Sequence, residues 1–142
     1  MASDYQVNVD WKGGMEFLAT PPSGNTFVMD AHPDFGGHGN GPSPVEALLG
    51  AIAGCSAMDV VSILQKMKQK VTSYRVEVQG ERGPTGVYPR PFVSITVCHL
   101  LKGENLDEAA VAKAVSLSDD KYCTVISTLR MTPNISSEFV IE

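Results

Sequence analysis

Residues 44–67 form an apolar stretch, and between 47 and 64 nearly every helical face is apolar. A helix without a polar side has none to give to water, so it must be covered all round. One small sheet covers only one side of a helix. In a chain of 142 residues the rest calls for a second copy, and a homodimer is expected. The longest uncharged run in this apolar stretch, 47–58, is shorter than the ~20 residues a membrane span needs, so no membrane partner is expected. The start of this helix is also marked. Ser43-Pro44-Val45-Glu46 reads as a capping box, with Pro44 suited to the first helical turn.

The flanking segments alternate with period two. Tyr5, Val7, Val9 and Trp11 predict a half-buried strand, with further strands over 15–19 and 26–30. A glycine-rich loop over 32–43 leads into the helix. Strands follow over 74–79 and 92–101, then a helix over 106–117 capped by Asn105, and a second over 118–130 capped by Ser118. A closing strand is expected over 135–141. The order is roughly βββαββααβ, with strands and helices in separate blocks, which predicts an α+β fold in a single domain over 1–142.

A net charge of −5 with 11 lysines and arginines gives no basic footprint, so no nucleic-acid partner is expected. The first residues have neither a basic segment nor an apolar one of signal-peptide type, and a cytoplasmic location is expected. Three well-separated cysteines do not form a secreted disulfide framework and fit reduced thiols.

Two of those thiols bear on function. Cys55 lies among small residues in Ala51-Ile52-Ala53-Gly54-Cys55-Ser56-Ala57-Met58-Asp59, and Cys123 lies in Lys121-Tyr122-Cys123. Each could be an inert core thiol or a reactive one. Asp59 shares a helical face with Cys55. It either points to solvent or is buried with a partner, since a lone buried carboxylate is costly. An arginine bridging Asp59 and the thiol would lower the thiol's pKa. Cys98 shares a strand face with Ser94 and Thr96 and reads as structural filler. His32, His38 and His99 have no metal-ligand spacing, so neither a metal nor a cofactor is expected.

Gly41-Pro42-Ser43-Pro44-Val45-Glu46-Ala47-Leu48-Leu49, then Ala53-Gly54-Cys55, then Lys121-Tyr122-Cys123 resemble the OsmC/Ohr family of thiol-dependent peroxidases. The Gly54–Leu64 run, Gly80-Glu81-Arg82 and the Leu117-Ser118 segment are similar to its YhfA-like branch. The resemblance covers nearly the whole chain. It implies an intertwined α+β homodimer with a long buried central helix from each copy. It also implies reduction of organic hydroperoxides, with Cys55 as peroxidatic thiol, Cys123 as resolving thiol and a dithiol reductant, of lipoyl type in the family. The chain departs from the family at two points. Val45 stands where the family has a glutamate directly after the proline. No arginine precedes Arg75, so the arginine that the family carries in its first strands is missing. Asp59 and Arg82 are the expected substitute pair. The alternative is a redox-sensing or non-catalytic dimer that binds a small lipophilic ligand, or a dimer with a purely structural role.

Overall fold

The computed structural model describes residues 5–131 and 133–142. Within one chain the structure divides into two compact units, Met1–Gly50 and Ala51–Glu142.

The first unit holds an antiparallel sheet of β1 (Asn8–Trp11), β2 (Phe17–Thr20) and β3 (Phe27–Met29), in that order. Val9 opposes Ala19 and Leu18 opposes Val28. The loop after β3 is built around Asp30, which is buried. Its carboxylate accepts from the backbone amides of Ala31 (2.7 Å), His38 (3.2 Å) and Asn40 (3.1 Å). Burial pushes its pKa up, but the three amides outweigh burial and hold it below the usual carboxylate range.

The long helix α1 runs from Pro44 to Lys66. Its capping box forms as expected. The Ser43 amide donates to Glu46 Oε1 at 2.9 Å, and the Glu46 amide donates to Ser43 Oγ at 3.2 Å. Glu46 is therefore a cap. Within one chain α1 is not buried all round. Its buried residues are Ile52, Ser56, Val60 and Leu64, spaced four apart on one stripe. Met58, on another face, is 76% exposed. The helix has 23 residues with a mean hydropathy of 1.9 in its most apolar window, long and apolar enough to cross a membrane by length and composition.

In the second unit β4 (Lys70–Arg82) and β5 (Phe92–Glu104) form a two-stranded antiparallel ribbon. Both are longer than the alternation alone indicated, because cross-strand pairing carries past the apolar positions. Tyr74, Val76 and Val78 share the covered face with Ile95, Val97, His99 and Leu101. Cys98 lies on the other face and is exposed, opposite Glu77. It is a surface thiol rather than filler. Gly80 is a glycine because the Phe92 ring lies over it: a Cβ there would meet the ring at 2.5 Å. Val60, Leu64 and Ala114 form the core of this unit, with Ile63, Val71, Tyr74, Leu101 and Val111 packed on it.

Helix α2 (Glu108–Leu117) is capped by Asp107, not Asn105. Asp107 Oδ1 accepts from the Ala109 amide at 3.0 Å. Asn105 instead has a φ of 51° and serves the turn. The expected helix over 118–130 is broken. Residues Ser118–Tyr122 form a π turn, Cys123 is extended, and α3 covers Thr124–Arg130. Residues 133–142 form neither strand nor helix, so the expected strand over 135–141 is not made within one chain. A strand needs a partner edge for its amides and carbonyls, and among the described residues no strand pairs with this segment within one chain. Ile135, Phe139, Val140 and Ile141 are left exposed.

Leu64→Ala removes a fully buried side chain from the second-unit core. It is expected to cost about 2–5 kcal/mol, read as a lower urea midpoint at unchanged slope. Cys98→Ser is expected to stay within about 0.5 kcal/mol of the parent.

Candidate active site

The two cysteines meet because α1 and the π turn pack against each other. Cys55 is one helical turn before Asp59 on α1. The wide turn closes with the Cys123 amide donating to the Ser118 carbonyl at 2.9 Å. A π turn inserts one residue into the helical spacing, and here it delivers both Ser118 and Cys123 to the same side of α1. The Sγ atoms of Cys55 and Cys123 and a carboxylate oxygen of Asp59 all lie within 4.8 Å of one another. Both thiols are free. The expected proximity of the two cysteines is therefore present, although Cys123 caps α3 instead of lying inside a helix.

The thiols are not equivalent. Cys55 is half-buried and Cys123 is buried. Burial pushes the Cys123 thiol above the ordinary cysteine range. The Ile126 amide opposes this, while the Cys55 thiol and the Asp59 carboxylate add to it.

Asp59 is half-buried and partnered, but not by an arginine. The Ser118 hydroxyl donates to Asp59 Oδ2 at 3.0 Å. Arg82 is exposed at the end of β4, and its Nε donates to the Arg90 carbonyl at 2.9 Å. Arg90 in turn donates from Nε to the Gly83 carbonyl at 3.0 Å. The two arginines tie the β4–β5 loop. The expected Asp59–Arg82 pair is not formed within one chain, because a neutral hydroxyl satisfies the carboxylate first.

Behind Ser118 runs a chain that sequence reasoning missed. Ser118 Oγ lies 3.2 Å from Ser56 Oγ, Ser56 Oγ lies 3.5 Å from His99 Nε2, and His99 Nδ1 lies 2.6 Å from the Tyr74 hydroxyl. Ser56 and Ser118 are fully buried. Burial lifts the Tyr74 phenol to about 12, so it remains a donor at neutral pH. Burial holds His99 below the ordinary imidazole range, with the Asp119 carboxylate pulling the other way. One proton assignment satisfies every link: Tyr74 donates to Nδ1, Nε2–H to Ser56, Ser56 to Ser118, and Ser118 to Asp59. All the donors then point toward the carboxylate. The available signal was Asp59 itself, since a buried carboxylate needs a donor and a serine serves as well as a cation.

A cleft of about 430 Å³ opens beside this chain. It is lined by Ile52 of α1, Ile95, Val97 and His99 of β5, and Ile126 of α3, among others. Ile52 and Ile126 are each three residues from a cysteine.

Among the described residues two side-chain sets have the spread of a metal site: Cys55, Asp59 and Cys123, and Glu16, Asp30 and His38. The chain-order spacing that argued against a metal set does not describe these groupings in space. In the second set Asp30 already accepts from three amides.

A profile of the OsmC-like protein family matches residues 37–138, which include both cysteines and Asp59. The chain belongs to the OsmC-like family. It is 41% identical over 137 residues to Protein YhfA of Escherichia coli strain K12, covering 96% of this chain and 97% of YhfA. Its backbone follows an OsmC-like protein of Mycoplasma pneumoniae, with a TM-score of 0.73 at 18% identity over 92% of this chain and 89% of that one. An organic hydroperoxide resistance protein of Legionella pneumophila shares the fold at a TM-score of 0.61 and 17% identity, over 91% of this chain and 92% of that one. The α+β architecture is thus that of the OsmC-like proteins.

Two outcomes check the site. In a Cys55→Ser, Cys98→Ser background, Cys123 is expected to alkylate with a pH midpoint above the ~8.5 of free cysteine; a midpoint at or below that value refutes the burial argument. His99 is held neutral in the fold, whereas the unfolded chain takes up a proton near pH 6.5. The stability it contributes is full above that pH and is lost as pH falls. The melting temperature is expected to drop between about pH 7.5 and about pH 5, with a shallower slope in His99→Gln.

Proposed function

We propose that this OsmC-like protein reduces organic hydroperoxides through Cys55 and Cys123. The observation that carries the proposal is the convergence of the two sulfurs within 4.8 Å, one half-buried and one buried. Family membership and structural likeness to hydroperoxide resistance proteins support it.

Cys55 takes the peroxidatic role because it is the more accessible thiol. Its thiolate attacks one peroxide oxygen, the O–O bond breaks, and the alkoxide leaves as an alcohol after taking a proton. Cys55 becomes a sulfenic acid. Cys123 then attacks that sulfur, water leaves, and a disulfide joins the two. A dithiol reductant, of lipoyl type by family likeness, restores both thiols by exchange. The cleft lined by Ile52, Ile95 and Ile126 suits the apolar tail of a substrate. The same cleft supports a second reading, in which the protein holds a small lipophilic ligand and the thiols only register redox state.

A second copy completes α1 in this proposal. Met58 is exposed, and apart from its chain neighbours and the helix's own backbone no atom of the described residues lies within 4 Å of where a Cβ on Gly54 would be. We read α1 as a dimer helix and not a membrane span because Asp59 and Ser56 are built into a polar chain inside the fold, and an aspartate at a bilayer centre is costly. The proposed setting is the cytoplasm, with no nucleic-acid partner, given the charge of −5.

One equivalent of cumene hydroperoxide is expected to remove two free thiols with no oxygen retained in the intact mass. Cys55→Ser is expected to abolish turnover and Cys98→Ser to preserve it. Equal activity of the parent and Cys55→Ser rules out the peroxidase. Light scattering is expected to give twice the 15.2 kDa chain mass, and Met58→Glu is expected to shift it toward the monomer.

A further inference from the structure

We propose that Asp59, held by the Tyr74–His99–Ser56–Ser118 chain, is the base that takes the proton from Cys123 when the disulfide closes. The inference rests on Cys55 and Cys123 acting as a pair, and it assigns to a carboxylate on α1 a task that the missing arginine and glutamate leave open.

Closure has a proton problem. Cys123 must attack as a thiolate, yet it is buried and its pKa is raised. A neighbouring base can remove the proton during the attack. The titratable groups that act on Cys123 are Cys55 and Asp59 on α1; Asp119, Asp120, Lys121 and Arg130 line a pocket with it, but Asp119 is paired with Arg130 and Asp120 accepts from the Ser116 hydroxyl. Cys55 is the sulfur under attack, which leaves Asp59. Its oxygen lies within 4.8 Å of both sulfurs, close enough for a rotamer adjustment or one bridging water. Oδ2 is occupied by Ser118, and Oδ1 has no hydrogen-bond partner among the described residues. The carboxylate is thus held by one oxygen and open at the other.

The step balances without an added reagent. The Cys123 S–H bond breaks and its proton passes to Asp59. The freed electron pair forms the Sγ–Sγ bond while the Cys55 S–O bond breaks. The proton on Asp59 then joins the departing hydroxide as water, and Asp59 returns to a carboxylate. One sulfur is oxidised and the other reduced by the same electron pair.

Ser118, Ser56, His99 and Tyr74 are positioning residues in this scheme. Each passes its donor forward, so Ser118 is locked with its hydrogen on Asp59. His99 stays neutral with Nε2 protonated, consistent with its burial and the short Tyr74 contact. Asp119 is the charged neighbour of His99.

A carboxylate that acted only through its charge would have the opposite effect on rate. Asp59 raises the Cys123 pKa, so deleting the charge would give more thiolate and faster closure. A base makes closure slower when it is deleted. The sign of the change therefore decides.

The test needs no hydroperoxide. In Cys98→Ser protein, one equivalent of dithionitrobenzoate loads Cys55 with an aromatic thiol. Cys123 then expels that coloured thiolate as it closes the disulfide, and the release is followed by stopped flow across the pH range. Asp59→Asn, which retains an acceptor for Ser118, is expected to slow release about 10²-fold at neutral pH. Its rate is expected to keep rising with pH, while the parent levels off. Ser118→Ala is expected to slow release less, about tenfold, with the parent's pH shape retained. Release from Asp59→Asn as fast as or faster than the parent overturns the inference, as does a parent that never closes. An equal rate in Ser118→Ala overturns the positioning role. Normal closure with no response to cumene hydroperoxide overturns the peroxidase and leaves this base in place. Loss of folding in Asp59→Asn, seen by circular dichroism, moves the decision to Asp59→Glu, which keeps a base and is expected to retain measurable closure; closure there as slow as the uncatalysed thiol overturns the inference.

Discussion

The hydrogen bond from the Ser118 hydroxyl to Asp59 joins the two halves of the candidate site. Ser118 opens the π turn and Asp59 lies mid-helix on α1. With that bond in place the turn is fastened to the helix, and Cys123, at the turn's end, is held beside Cys55. Both serines in the chain are fully buried, so their hydroxyls have no water to fall back on. A buried hydroxyl without a partner costs roughly 1–3 kcal/mol. The network is therefore self-enforcing: each group is placed by the need of its neighbour.

Burial makes the thiols unequal. Asp59 lies next to both, but Cys123 is the one wrapped in the fold, and burial, with the neighbouring Cys55 thiol and Asp59 carboxylate adding to it, raises its pKa. Cys55 remains half-exposed. An asymmetric thiol pair of this kind suits ordered chemistry, in which one sulfur meets the outside reagent and the other waits. The family's usual arginine is absent from the first strands, and the sites of Arg82 and Arg90 are spent on the β4–β5 loop. In one chain the polar control of the site is therefore neutral donors and one carboxylate.

Much of this was legible in the chain itself. Period-two alternation placed Val76 and Val97 on the covered face, and the capping box at Ser43 and Glu46 marked the start of α1. The motif around Cys55 and Cys123 marked them as a pair. The errors share a physical cause. Asn105 and Asp107 are both good caps by residue type, and only the turn's positive φ at Asn105 leaves the cap to Asp107. The helix over 118–130 broke because a π turn has no local sequence signature distinct from an α-helix. Residue type points Asp59 to an arginine such as Arg82, whereas its actual partner, Ser118, is 59 residues away in the chain.

Local chemistry determined what each segment could be: a long apolar stretch behind a capping box a helix, and alternating apolar and polar residues a strand. Those properties depend on neighbours within a few residues, where periodicity and capping operate. Tertiary structure alone decided which polar groups meet. Tyr74, His99, Ser56, Ser118 and Asp59 come from four separate elements, and none has a sequence neighbour that announces its partner. They converge because a buried polar group must find a donor or acceptor wherever the packing brings one, and packing is a property of the whole fold.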